Sequence, residues 1–150
     1  MDVYDFERVQ AVWQRVLGKH DGQLLRLEIE EIIAGEYAAA MGYGSLARQN
    51  RRYAPLLLSL SREERRHAMR LTALYRSQWE NSPKIAAGVA RETVPFAVGI
   101  RNAYGEELKT AEKYRSMAEK WPEQRKLFLS LAADEQRHSR ILQRISANLP

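Results

Sequence analysis

The sequence predicts an all-α protein, a four-helix bundle made of a duplicated helical hairpin with a crossover between the two hairpins. Three observations support this prediction. Sustained alternation of apolar and polar residues, which marks half-buried strands, is nearly absent. Long stretches rich in Ala, Leu, Glu, Arg, Lys and Met favour helix. The two halves of the chain also align without a gap at a shift of 71 residues.

The first half of the chain predicts a short N-terminal helix followed by two long ones. We expect the short helix over residues 2–17, ended by Gly18 and the turn GKHDG, and the first long helix over 23–50. Pro55 suits the first turn of the second long helix, which runs to about residue 80, because the N–H that proline lacks would be unpaired there.

The second half begins with the segment NSPKIAAGVARETVP, which breaks the helical pattern and predicts a crossover with a helical turn inside it. A third long helix is expected over 94–120. After a tight corner at Trp121 and Pro122, the fourth runs to about residue 148. Because short loops make neighbouring helices antiparallel, the chain predicts two hairpins in one domain over 1–150, with the core bundle over 23–148.

Composition narrows the possible functions. The chain of 150 residues has no cysteine, which excludes disulfides, thiolate metal sites and a cysteine nucleophile. The start MDVYDFERVQ is acidic and mixed, and no apolar run approaches the roughly 20 residues of a membrane span, so we expect a cytoplasmic protein with no membrane partner. The net charge is +5, but the arginines are scattered among glutamates, which is typical of solvated helix faces.

The repeat carries the same polar residues in each half. Each half has Glu-x6-Tyr on its first long helix and Glu-x-x-His on its second. These residues are Glu36, Tyr43, Glu64 and His67 in the first half, and Glu107, Tyr114, Glu135 and His138 in the second. Each lies at three- and four-residue steps along a stripe that is otherwise apolar, so four glutamates and two histidines are predicted to face the core.

Such a cluster predicts bound cations. Two carboxylates about 4 Å apart repel by roughly 4 kcal/mol at an effective dielectric constant of 20, and desolvation adds to this. The site must therefore take up protons or bind metal, and two divalent ions would balance four carboxylates. The candidate metal ligands are Glu36, Glu64, His67, Glu107, Glu135 and His138. Carboxylates with one imidazole per metal suit iron or manganese, and zinc by affinity.

Two tyrosines accompany these candidate ligands. Tyr43 and Tyr114 each lie two turns from a glutamate on the same face. A tyrosine on such a face commonly serves to fill the core. Alternatively, its hydroxyl can form a hydrogen bond to a ligand carboxylate and so support the reaction, which makes Tyr43 and Tyr114 candidate catalytic residues.

Taken together, these motifs resemble the ferritin-like superfamily, and more closely its rubrerythrin-like branch. The arrangement of one glutamate on each of two helices and Glu-x-x-His on each of the other two is typical of its di-iron carboxylate proteins. The segments IAGEY and AYGEE are also similar to the AGE start of rubrerythrins. The resemblance covers about residues 23–147 and implies a ferritin-like bundle with two metal ions, most often iron, with manganese or a mixed pair as alternatives.

The chain departs from that family in three ways. It lacks the cysteines of a rubredoxin domain, so the resemblance implies an external electron donor, such as an acidic redox protein. Thr110 and Lys109 stand where rubrerythrins tend to have an additional carboxylate. The sequence GEE leaves two candidates for the third-helix ligand: Glu106 matches the family's GE, whereas Glu107 fits the gapless repeat and is preferred.

The resemblance implies a non-haem di-iron oxidoreductase that reduces hydrogen peroxide or dioxygen at a carboxylate-bridged centre. In this hypothesis Glu64 and Glu135 bridge the metals, and His67 and His138 each bind one of them. Glu36 and Glu107 are terminal or chelating ligands, and the protein is expected to be a homodimer. A second hypothesis is ferroxidase activity with iron storage or detoxification. A third, from another class, is a metal-stabilised module that binds nucleic acid or an acidic protein through the basic charge.

Overall fold

The computed structural model describes residues 3–85 and 93–150, with side chains in the first helix described from Asp21 onward. These residues form four α-helices, with no strand among them. The helices are α1 (Val3–Gln49), α2 (Ala54–Trp79), α3 (Phe96–Lys120) and α4 (Arg125–Ala147), and a 3-10 turn at Pro122–Gln124 precedes α4. The all-α helical bundle predicted from the sequence is thus observed.

The first helix differs from its prediction. Residues 2–17 and 23–50 were expected to form two helices with a turn at GKHDG, but α1 is continuous from Val3 to Gln49. Gly18 and Gly22 have no positive φ and remain in the helix. A glycine costs a helix only about 1 kcal/mol relative to alanine, and no proline interrupts the hydrogen bonds here, so two glycines do not end the helix.

The other helix boundaries lie within two residues of the predicted ones. Helix α2 ends at Trp79, where Glu80 adopts a left-handed backbone with φ of 50° and donates its N–H to the Arg76 carbonyl. Helix α3 begins at Phe96 rather than at residue 94, because the residue before Pro95 is disfavoured in helical conformation. The helical turn predicted within the crossover falls largely on residues 86–92, which lie outside the described part of the chain.

The core consists of two apolar clusters with a polar layer between them. One cluster contains Ile29, Ile33, Leu71, Tyr114 and Phe128, among others. The second contains Tyr43, Leu57, Leu60, Ile100, Leu142 and others. On every helix, the predicted metal ligands fall between the residues of these two clusters in sequence. None of the helices in the described ranges has the length and apolar character of a membrane span.

Replacing Gly99 by alanine is expected to destabilise the protein. A Cβ at Gly99 would lie 2.5 Å from Cδ2 of Leu46, a side chain only 6% exposed between α1 and α3. Overpacking of this kind costs about 1–3 kcal/mol. At Gly105 a Cβ would meet no atom within 4 Å, so Gly105→Ala should instead stabilise α3 by up to about 1 kcal/mol. Urea denaturation of both variants measures the change in the free energy of unfolding. Equal stability of the two variants would contradict the close approach of Gly99 to Leu46.

Candidate metal centre

The structure brings all six predicted ligands together in the polar layer of the core. Helices α1 and α3 each provide one glutamate, and α2 and α4 each provide a Glu-x-x-His pair one turn apart. All six side chains are buried, each at most 5% exposed: Glu36, Glu64, His67, Glu107, Glu135 and His138. Burial of this many ionisable groups is costly unless protons or cations balance them.

The six residues form two overlapping groups. One consists of Glu36, Glu64, His67 and Glu135, and the other of Glu64, Glu107, Glu135 and His138. In each group the potential ligand atoms lie within 4.8 Å of one another, which is close enough to surround one cation. Glu64 and Glu135 belong to both groups. Each group adds one histidine and one glutamate of its own, so these clusters can hold metal ions.

The inner nitrogen of each histidine faces the carboxylates. Nδ1 of His67 lies 3.0 Å from Glu135 Oε1, 3.1 Å from Glu64 Oε2 and 3.3 Å from Glu36 Oε2. Nδ1 of His138 lies 2.8 Å from Glu64 Oε1 and 3.0 Å from Glu135 Oε2. The two rings are nearly parallel, with centroids 5.7 Å apart. Both imidazoles therefore present one nitrogen to the shared carboxylates.

Several of these inner atoms satisfy no hydrogen bond. Among the described residues, Glu36 Oε2, Glu64 Oε1, both carboxylate oxygens of Glu135 and Nδ1 of His138 have no hydrogen-bond partner. They are close to one another without the alignment that a hydrogen bond needs. Buried polar atoms in proteins normally have partners. Their convergence on common points is the arrangement that metal coordination would satisfy, and oxygen with imidazole nitrogen suits divalent transition metals.

The outer nitrogen of each histidine contacts a carboxylate that the sequence analysis did not single out. Nε2 of His67 lies 3.3 Å from Asp134 Oδ2, and Nε2 of His138 lies 3.0 Å from Glu63 Oε2. In metal sites, a carboxylate at this nitrogen fixes the ring orientation and the tautomer. The repeat contained a signal for this pair, because the shift of 71 residues also lays Glu63 on Asp134.

Each tyrosine holds the glutamate of the opposite half of the chain. Tyr43 on α1 donates a hydrogen bond to Oε1 of Glu107, and Tyr114 on α3 donates to Oε1 of Glu36. The other oxygen of each glutamate, Oε2, faces the histidines. The tyrosines thus tie the outer carboxylate oxygen and leave the inner one directed into the cluster. Burial, together with the nearby carboxylates, raises the pKa of both phenols well above the usual range, so both remain donors.

The two candidates for the third-helix ligand are clearly separated. The Glu107 side chain is buried in the cluster, whereas the Glu106 side chain is 63% exposed and pairs with Lys109 at 2.8 Å. Glu107 is therefore positioned to bind a metal, and Glu106 lies on the surface.

Without metal, the cluster is balanced by protons. Burial, and then the charges of Glu135 and Glu64, raise the pKa of Glu36 to about 8, and burial raises that of Glu107 to about 9. Burial opposes ionisation of Glu64, but contacts with both histidines outweigh it and lower its pKa to about 2. Burial likewise disfavours charge on the histidines, yet the carboxylates raise the pKa of His67 to about 12 and also raise that of His138.

Metal affinity is expected to rise with pH because binding must displace these protons. A pH of 7 is below the raised pKa values of four ligands, which are therefore protonated: Glu36, Glu107, His67 and His138. Metal ligands must be deprotonated. Full occupancy should therefore release about four protons per chain. Calorimetric titration with Mn²⁺ in buffers of different ionisation enthalpy measures this number. Release of no proton, or affinity that falls from pH 6 to pH 8, would contradict the prediction.

The fold and the site define a helical-bundle protein with a buried carboxylate–histidine cluster able to hold metal ions. No family model, curated protein or solved structure matches the chain.

Proposed function

We propose that this chain is a ferritin-like, rubrerythrin-like di-iron oxidoreductase that reduces hydrogen peroxide or dioxygen. The observation that carries the proposal is the sharing of Glu64 and Glu135 by two ligand groups, each completed by its own histidine and glutamate. Two cations held by common carboxylates would lie close enough to act on one small molecule together. A purely structural site needs only one metal ion with all its coordination positions filled by protein ligands, and it would not need a second ligand group.

When bound, two ferrous ions supply the two electrons that, with two protons, convert one hydrogen peroxide to two waters. The ferric ions so formed would need two electrons from an external one-electron carrier before the next turnover. The role of the protein's own residues is to hold the two metal ions and to orient their ligands. Glu64 and Glu135 set a fixed spacing between the two positions, and His67 and His138 supply one neutral nitrogen to each. Burial of the layer between two apolar clusters keeps bulk water away from the reacting centre.

Tyr43 and Tyr114 control the terminal carboxylates. Each keeps its phenolic proton and donates it in a hydrogen bond to the outer oxygen of Glu107 or Glu36. This leaves one oxygen of each terminal glutamate for a metal and one held by the opposite hairpin. The basic surface, with its net charge of +5, is suited to an acidic electron carrier.

The proposal is tested by anaerobic reconstitution with Fe²⁺, followed by metal analysis and addition of hydrogen peroxide. We expect two irons per chain, with one peroxide consumed for every two ferrous ions oxidised. Fewer than one iron per chain would reject the metal centre. Uptake of many irons per chain with continued oxidation would instead indicate an iron-storage function, and two bound metals that leave peroxide and dioxygen untouched would reject the oxidoreductase.

A further inference from the structure

A cavity of about 430 Å³ lies between α2 and α4, outside the carboxylate–histidine cluster. One wall is the His67 side chain, so the cavity lies next to the cluster. Its lining residues are charged: Glu63, Arg66, His67, Arg70, Asp134 and Arg137. The two carboxylates that contact the outer nitrogens of the histidines are among them.

Arg137 joins these two carboxylates. Its Nη2 atom donates to Glu63 Oε2 at 2.5 Å and to Asp134 Oδ1 at 2.9 Å. The same Glu63 oxygen contacts His138, and the other oxygen of Asp134 contacts His67. The Arg137 guanidinium is therefore connected to both histidines, through one carboxylate each. Charge-assisted hydrogen bonds of this kind are stronger and more directional than neutral ones.

The repeat provides a counterpart that does not do this. The 71-residue shift lays Arg66 on Arg137, and both arginines line the cavity. Within residues 21–85 and 93–150, Arg66 forms no ion pair or side-chain hydrogen bond. The cluster of six ligands is close to symmetric, but its outer support depends on one arginine from α4.

We propose that Arg137 is a positioning residue that orients both metal-binding histidines through Glu63 and Asp134. This inference rests on the proposed metal centre. Since a ring whose outer nitrogen is unsupported can turn away from the metal, loss of Arg137 weakens both metal positions together. Loss of Glu63 affects mainly the position of His138, and loss of Asp134 mainly that of His67.

Titration with Co²⁺ tests the proposal, because its affinity and its visible absorption bands both report ligand arrangement. Arg137→Gln should weaken both binding steps several-fold, less than the roughly 10- to 100-fold expected on loss of a carboxylate that contacts a histidine directly, and should change the spectrum at saturation. Arg66→Gln removes the same charge from the same cavity and should leave both steps and the spectrum unchanged. Glu63→Gln and Asp134→Asn should each weaken one step only.

The outcomes separate the two proposals. Wild-type protein that takes up no Co²⁺ rejects the metal centre and this inference with it. Wild-type protein that binds two Co²⁺, with Arg137→Gln and Arg66→Gln indistinguishable, rejects the inference alone. If Arg137→Gln does not fold, as judged by circular dichroism, the Glu63 and Asp134 variants decide. Both steps unchanged in those variants would overturn the proposal.

Discussion

Replacing Glu64 by alanine is expected to abolish binding of both metal ions, whereas replacing Glu36 by alanine should abolish one. Glu64 belongs to both ligand groups, but Glu36 belongs to one. Removal of a shared carboxylate takes a ligand from each position and leaves uncompensated charge between the two cations. The same reasoning makes Glu135→Ala equivalent to Glu64→Ala, and Glu107→Ala equivalent to Glu36→Ala.

Metal analysis after reconstitution and desalting should find about zero ions per chain in Glu64→Ala and about one in Glu36→Ala. Glu106→Ala is the matched control, because its side chain is next to Glu107 in sequence yet lies on the surface. It should retain both ions. Circular dichroism of every variant serves as the folding control, since removal of one partner of a buried ion pair destabilises a protein by about 3–5 kcal/mol. Equal metal loss in the Glu64 and Glu36 variants would contradict the shared role.

Metal binding is expected to raise the midpoint of thermal unfolding by about 10–20 °C. A ligand that binds only the folded chain stabilises it by about 2.7 kcal/mol per site when its free concentration is 100 times Kd. For a chain of this size each kcal/mol corresponds to about 2–4 °C, and there are two ligand groups. Metal should stabilise the folded chain selectively, because no single short segment of the unfolded chain contains all the ligands. They come from four helices and are brought together only by folding.

Differential scanning calorimetry with and without excess Mn²⁺ measures the shift. Addition of a chelator should reverse it, and Glu64→Ala should show almost none, which separates site binding from general salt effects. A wild-type midpoint that does not move at saturating Mn²⁺, Co²⁺ or Fe²⁺ would mean that the cluster is held by protons alone.

The sequence predicted the residues of the cluster because two independent patterns agreed. Helical spacing placed each glutamate and histidine on an apolar stripe, and the repeat duplicated the arrangement. Both patterns are local properties of the chain, so the ligands that face the core could be recognised without knowing how the helices are placed. The preference for Glu107 over Glu106 came from the same spacing, and Glu107 is the one that the structure buries.

Other features depend on information that local pattern does not contain. The continuity of α1 through Gly18 and Gly22 reflects a small difference between the cost of glycine in a helix and the cost of a turn. Glu63 and Asp134 look like ordinary solvated residues of charged helices, and only the arrangement of α2 against α4 gives them a partner. The tyrosines were predicted to reach ligand carboxylates, but their partners in the opposite half depend on how the two hairpins are placed.

The contacts of Tyr43, Tyr114, Glu63 and Asp134 all run from one half of the chain to the other, and they do so in equivalent pairs. Neither hairpin alone contains a complete set of partners, whereas two identical hairpins side by side would contain every one. A single polypeptide thus contains the reciprocal contacts that two identical hairpins would form as a symmetric pair. The symmetry is broken where Arg137 joins Glu63 to Asp134, because the equivalent residue of the first half, Arg66, forms no such contact among the described residues.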